Sequence, residues 1–269
     1  RLEQVRIAHG ISFPNGTRGR RGSPSTQLID GAPPANRLHS SDPLHAAPED
    51  DDTPAVVRVT GRPTSDPRPR LRPMSEHATR VLVTGAAGGI GRAVCFELLA
   101  DAKRNGRKLV IALTGRLEPA IARLASELRD AGATAHAFTA DLSNPEDCRR
   151  IGSESVAACE GLDLFVSVAG AIHAGPLDSL DATAWDRTFN VNVRATWLVA
   201  QAVRHALAES RGAIIAIASM AGLYPFPGLG AYSPSKAALI MLCRQLAQEW
   251  AGDGIRVNTI SPGLIRTPL

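Results

Sequence analysis

Beginning at Thr79, apolar and polar residues fall into alternating blocks. Short runs rich in Val, Ile and Leu occupy 80–85 (RVLVTG), 108–115 (KLVIALTG), 135–141 (AHAFTAD), 162–170 (LDLFVSVAG), 212–219 (GAIIAIAS) and 255–263 (IRVNTISPG). The stretches between them, 91–104, 117–131, 145–159, 183–209 and 233–251, read as helices. Strands buried on both faces appear as near-continuous apolar runs, and their alternation with helices calls for right-handed crossovers. The pattern therefore predicts an α/β fold, a doubly wound parallel sheet between two layers of helices. Ligands of such sheets bind outside the carboxyl ends of the strands, so the residues that end each run are where chemistry is expected.

The first 73 residues show no such pattern. They hold eleven of the nineteen prolines, eleven of the thirty Lys and Arg, and one aromatic, Phe13. A segment of that composition buries too little apolar surface to offset about 1–2 kcal/mol of backbone entropy per residue, so 1–73 is expected to be disordered and 74–269 to be the folded domain. The tail carries a net charge of +3 and the remainder +1. Its arginines are scattered, interrupted by EDDD and without aromatic partners, which sets aside a nucleic-acid partner. The first methionine is Met74, and translation is expected to begin there, with 1–73 as a non-native extension. No apolar run reaches the roughly 18 residues of a membrane span, and no signal-peptide core is present. Cys95, Cys148, Cys159 and Cys243 have neither CxxC spacing nor a histidine at ligand spacing, so reduced thiols, a cytoplasmic location and no metal site are expected.

Candidate chemistry begins where the first strand ends, at TGAAGGIGRAVCFELL. Gly85, Gly89 and Gly91 stand between strand and helix, where missing side chains permit a sharp turn and the approach of a pyrophosphate to the helix N-terminus. The spacing is G-x-x-x-G-x-G, and taken singly it fits a plain strand–helix turn equally well. Its place as the first turn of an alternating, Rossmann-like domain favours a dinucleotide. The second strand ends in Gly115 and Arg116 instead of the acid that binds a ribose 2′-hydroxyl. An arginine there suits a 2′-phosphate, so NADP(H) is favoured over NAD(H); the competing reading is a solvated arginine at a helix start.

A second candidate lies at AYSPSKAAL, 231–239. With a helix starting near Ser233 and Pro234, Tyr232 and Lys236 lie one turn apart on one side. An ammonium beside a phenol favours its ionised form and suits it to general acid/base work. Tyr and Lys at this spacing also occur on ordinary helices. Two neighbours make chemistry the better reading: Ser219, at the end of a buried strand, and Asn192, a polar residue on an otherwise apolar inward stretch.

TGAAGGIG, Asn192, Ser219, YSPSK and NTISPGLIRTP, in that order, resemble the short-chain dehydrogenase/reductase family, and in particular 3-oxoacyl-carrier-protein reductases, over about 79–269. The resemblance implies that Tyr232 exchanges a proton with the substrate oxygen and that Ser219 orients that oxygen. It implies that Lys236 holds the nicotinamide ribose and favours the phenolate, and that Asn192 supports a water relay. Gly85, Gly89, Ile90 and Gly91 then cradle pyrophosphate; Asp141 and Leu142 border the adenine; Ala169 and Gly170 pack beside the ribose; Pro262, Gly263, Ile265 and Thr267 meet the nicotinamide end. A hydride passes between the cofactor and a small-molecule ketone or secondary alcohol, a 3-oxoacyl thioester being one candidate. A homodimer or homotetramer fits the widely apolar helices 183–209 and 233–251.

Two departures stand out. The family's Asn-Asn-Ala-Gly is Ser167-Val168-Ala169-Gly170 here, which removes amides that brace the sheet. The chain also stops at Leu269, where a substrate lid and a last strand are expected to follow, so the sequence reads as truncated. The stretch GLYPFPGLGAY, 222–232, suits either a pocket wall or a subunit interface. A nucleotide-binding sensor or scaffold without turnover is the rival function, disfavoured by the intact Ser, Tyr, Lys and Asn set.

Overall fold

The computed structural model describes residues 78–267; the segment 1–73 and the boundary expected at Met74 lie outside the described residues. Six parallel strands form one sheet: β1 (Ala78–Thr84), β2 (Lys108–Gly115), β3 (Thr134–Thr139), β4 (Leu164–Ser167), β5 (Ala213–Ile217) and β6 (Arg256–Ile260). Their order is β3-β2-β1-β4-β5-β6, so the winding reverses between β1 and β4. That switch point opens a crevice at the carboxyl ends of the two strands, where nucleotides bind in doubly wound sheets.

The helices are α1 (Gly89–Arg104), α2 (Glu118–Asp130), α3 (Pro145–Cys159), α4 (Ala182–Phe189), α5 (Ala195–Ser210) and α6 (Tyr232–Glu249). One core packs α1 and α2 against β1 and β2 through Val81, Val83, Leu99, Ile111, Leu113, Ile121 and Leu124. The other packs α3, α5 and α6 against the opposite face through Leu82, Ile151, Phe165, Val203, Leu207, Ile214 and Leu239. Neighbouring residues of one strand therefore serve different cores, Leu82 one and Val81 and Val83 the other, as the pleat requires. This is the three-layer Rossmann-like fold that the pattern of apolar runs predicts.

Local signals set the ends of several helices. Asn144 caps α3 by accepting from the Glu146 amide at 2.9 Å, with Pro145 at the first helical position. Asp181 caps α4 by accepting from the Ala184 amide at 3.2 Å. The expected single helix over 183–209 is two helices, with a π-helical turn at Asn190–Arg194 between them. Such turns concentrate at functional sites, and this one contains Asn192.

The replacement of Asn-Asn by Ser167-Val168 is met locally. The Ser167 hydroxyl lies 2.8 Å from the Thr196 hydroxyl, and both residues are buried, so β4 is tied to α5 by a hydroxyl pair. At the opposite end of the sheet, Asp163 accepts from the Arg80 amide at 2.8 Å, from its Nε at 3.1 Å and from its Nη2 at 2.8 Å. Arg80 Nη1 also donates to the Glu160 carbonyl at 2.7 Å, so one guanidinium joins the start of β1 to the approach to β4.

The Asp163 side chain is 4% exposed, and removing it leaves the guanidinium facing a buried site. Asp163→Ala is expected to lower unfolding free energy by about 2–3 kcal/mol, read from urea midpoints at constant m.

Candidate active site

The turn between β1 and α1 is shaped by contacts that exclude side chains. Gly85 adopts φ +64°, and a Cβ on it would lie 2.7 Å from the Ala169 backbone. A Cβ on Gly91 would overlap the Gly85 carbonyl oxygen, and one on Gly89 would fall 2.5 Å from Thr267 Cγ2. The glycines thus bring the end of β4, the α1 N-terminus and the segment after β6 together. No side chain caps α1 and its first turn holds no acid, so the helix end keeps amide donors and positive dipole for an anion. These are the features a dinucleotide pyrophosphate requires. Ile90 is half-buried in the same turn.

Arg116 is exposed at the end of β2, and Asp141 is exposed beyond β3, with Leu142 buried beside it. Backbone and hydroxyl hydrogen bonds from Ser143 hold the Asp141 carboxyl below its ordinary range against the opposing effect of burial, with lesser help from the charges of Arg187 and Arg116. The Asp141 amide donates to Asp147 at 2.8 Å, which fixes this loop to α3.

Tyr232 is the first residue of α6, one position earlier than the sequence suggests, and Lys236 lies a turn later. The Lys236 ammonium sits 5.7 Å from the centroid of the tyrosine ring. The lysine is 3% exposed and donates to the Ile217 carbonyl at 2.8 Å. Burial, opposed weakly by Cys243, pushes the ammonium down from 10.5 to about 8. It remains mostly protonated at neutral pH, and two of its three N–H groups have no partner among the described residues.

Asn192 is fully buried, and its amide joins three elements. Oδ1 accepts from the Ala171 amide at 2.7 Å, while Nδ2 donates to the Ala171 carbonyl at 3.0 Å and to Ser235 Oγ at 2.8 Å. Ser235 in turn donates to the Tyr232 carbonyl at 2.7 Å. The amide is therefore a bracket from the π turn to the loop after β4 and to the first turn of α6. Gly170 leaves room at this junction, since a Cβ on it would lie 3.4 Å from Asn192 Oδ1 and 3.6 Å from Lys236 Nζ.

Ser219 follows β5 and caps the short 3-10 turn Met220–Gly222, its Oγ accepting from the Ala221 amide at 3.1 Å. With a lone pair engaged there, its hydroxyl proton is free to donate elsewhere. The Met220 amide donates to the Pro262 carbonyl at 2.9 Å, which draws the segment after β6 against this turn.

Among the predicted residues, Gly85 lies against Ala169, Gly89 against Thr267, Gly170 beside Asn192 and Lys236, and Lys236 near the Tyr232 ring. Gly263 and Ile265 are exposed, and a Cβ on Gly263 would meet nothing within 4 Å. Sequence reading passed over Ala171, Ile217 and Gly222, which act through backbone atoms, and Ser235, whose position inside YSPSK was the only signal available.

The sequence matches the short chain dehydrogenase family model over residues 79–269. The chain belongs to the short-chain dehydrogenase/reductase family. This short-chain dehydrogenase/reductase is 33% identical over 186 residues to 2-(S)-hydroxypropyl-CoM dehydrogenase 3 of Xanthobacter autotrophicus, covering 69% of the chain and 71% of the relative. It is 34% identical to dehydrogenase/reductase SDR family member 4 of Bos taurus, covering 69% of the chain and 65% of the relative. Among solved structures it resembles a Burkholderia cenocepacia short chain dehydrogenase in complex with NADP, with TM-score 0.65, 34% identity and coverage of 70% and 75%. It resembles equally an NADH-dependent reductase complexed with NAD, with TM-score 0.63, 30% identity and coverage of 70% and 78%. As a member of this family, it is an oxidoreductase acting on CH–OH groups with a nicotinamide cofactor.

The buried lysine gives a test that needs no substrate. Between about 8 and 10.5 the unfolded chain binds more protons at Lys236 than the folded one, so stability rises with pH across that window and falls as pH drops to 8. Lys236→Met removes this slope. At pH 7 it is expected to raise the stability of the cofactor-free protein by about 2 kcal/mol, the lysine's burial penalty less the cost of leaving the Ile217 carbonyl unpaired. Paired urea titrations of both proteins at pH 7 and pH 10 measure both quantities.

Proposed function

We propose that this short-chain dehydrogenase/reductase is an NADP-dependent ketone reductase and secondary-alcohol dehydrogenase, with Tyr232 as its acid/base. The observation that carries the reading is the Lys236 ammonium, buried beside the Tyr232 ring and tied to the strand that delivers Ser219. A binding module needs no such arrangement of three chemically distinct groups.

In reduction, Tyr232 gives its phenolic proton to the substrate oxygen; in oxidation it takes one from the alcohol. Ser219, with its hydroxyl proton free, donates to the same oxygen and fixes its place. Lys236 gives one N–H to Ile217 and has the others left for ribose hydroxyls. Asn192 supports proton relay by holding the loop after β4 and the α6 N-terminus in register. Gly85, Gly89, Ile90 and Gly91 hold the pyrophosphate, Ala169 and Gly170 the ribose, Asp141 and Leu142 the adenine, and Pro262, Gly263, Ile265 and Thr267 the nicotinamide end. The bound dinucleotide supplies or accepts the hydride.

Arg116 supports the NADP preference, since it is exposed just beyond the end of β2, where an acid would otherwise bind a ribose 2′-hydroxyl, and a guanidinium matches a phosphate geometrically. Ile172, Leu177, Leu223, Tyr224 and Phe226 are exposed on the two loops joined by the Gly175–Leu229 bridge, which suits a largely apolar ketone and admits a 3-oxoacyl thioester. The protein acts as a homodimer or homotetramer. An apolar hollow of about 300 Å³, lined by Phe189, Val193, Trp197 and Leu242, suits a second copy. A cytoplasmic setting agrees with four free, buried cysteines whose thiols burial pushes up to about 11 or 12.

NADPH oxidation with a panel of ketones tests the reading, and Tyr232→Phe is expected to lower kcat by about 10²–10⁴-fold. NADPH binding without turnover across that panel favours a sensor instead. The dissociation constant is expected to be lower for NADPH than for NADH by calorimetry, and Arg116→Ala to weaken NADPH about tenfold while leaving NADH nearly unchanged.

A further inference from the structure

The 3-10 turn after Ser219 packs against α6, and the residue of the turn that faces the helix backbone is a glycine. A Cβ on Gly222 would lie 2.7 Å from the carbonyl carbon of Lys236, 2.9 Å from its oxygen and 3.0 Å from the Ala237 amide nitrogen. All three are backbone atoms of a helix, so no side-chain rotation relieves the overlap. The φ of Gly222 is not positive, so the demand for glycine here is one of space and not of backbone conformation.

The turn is held rigidly on its other sides. The Ala218 amide donates to the Ile260 carbonyl at 2.8 Å and the Met220 amide to the Pro262 carbonyl at 2.9 Å, while Ser219 Oγ accepts from Ala221. Ala221 is 6% exposed. An added methyl group therefore displaces the first turn of α6, the element carrying Tyr232 and Lys236. The Lys236–Ile217 hydrogen bond ties α6 to the end of β5, the strand from which this turn follows, and it depends on the same spacing.

We propose that Gly222 is a positioning residue for the reaction: its missing side chain lets α6 seat against the turn of Ser219 and sets the spacing of Tyr232 and Lys236 from that serine. This rests on the catalytic reading of Ser219, Tyr232 and Lys236. The residue works through the Lys236–Ala237 peptide that it faces.

Gly222→Ala in the full chain tests it with two readouts. In ketone reduction by NADPH, kcat is expected to fall roughly 100-fold, as for a displacement near 1 Å, with KM for NADPH little changed. Independently of activity, Lys236 is followed by NMR titration of lysine-labelled protein, which is tractable because the chain has only Lys103, Lys108 and Lys236. Its titration is expected to move up from about 8 toward 10.5 as water enters behind the shifted helix. Gly252→Ala, at a glycine whose Cβ would meet nothing within 4 Å, is expected to leave both readouts unchanged. Wild-type kcat together with an unmoved Lys236 titration in Gly222→Ala overturns the proposal. A Gly222→Ala chain that no longer unfolds cooperatively assigns the contact to folding alone and overturns it as well. Should the wild type turn over no ketone, the catalytic reading fails by itself, and the Lys236 titration still decides whether Gly222 seats α6.

Discussion

An ammonium held inside a protein opposes folding, and the region around Lys236 is arranged so that this opposition is tolerated in one place only. The charge finds a carbonyl at the end of β5, and the helix that carries it is pressed against the turn that follows the same strand. The lysine thereby fixes how far α6 lies from β5, and with it how Tyr232 stands to Ser219. A group whose protonated form is disfavoured by burial is also one that responds strongly to a ligand able to accept its remaining hydrogen bonds. Stability is given up at Lys236, and the polar groups around it are held in a fixed arrangement in return.

The rest of the site is built around absent atoms as much as present ones. Glycines at 85, 89 and 91 let three chain segments converge at the sheet's switch point, and no larger residue fits between them. The sheet supplies the directions: β1 delivers the glycine turn, β4 the Ala169–Gly170 segment and β5 the serine, side by side in the order β1-β4-β5. Each is a carboxyl end, so one crevice collects residues that lie more than a hundred positions apart in the chain, as from Gly85 to Ser219.

The fold was legible because buried parallel strands leave continuous apolar runs, and every one of the six runs became a strand. The glycine turn, Ser219, Tyr232 and Lys236 stand out in the sequence as candidates because residue type at fixed spacing marks them. What stayed hidden works through the backbone. Ile217 offers a carbonyl, Ala171 an amide and a carbonyl, and Gly222 an absence, and none of these is encoded by residue type. The break at Asn190–Arg194 was hidden for a related reason: its cause lies in partners on other elements, while the local sequence suits a continuous helix.

Along that broken helix, Thr188, Asn192 and Thr196 recur every fourth residue, and each is at most 2% exposed. Residues four apart lie on one face of a helix, drifting by about 40° per step, so the series lines the inward side of the segment on both sides of the π turn. Thr188 then meets His173, Asn192 meets Ala171 and Ser235, and Thr196 meets Ser167. The result is a polar spine inside an otherwise oily layer, with each vertebra holding a different neighbouring segment. A segment that hydropathy alone assigns to filling the core works also as an internal frame to which the loops after β4 and the start of α6 are tied.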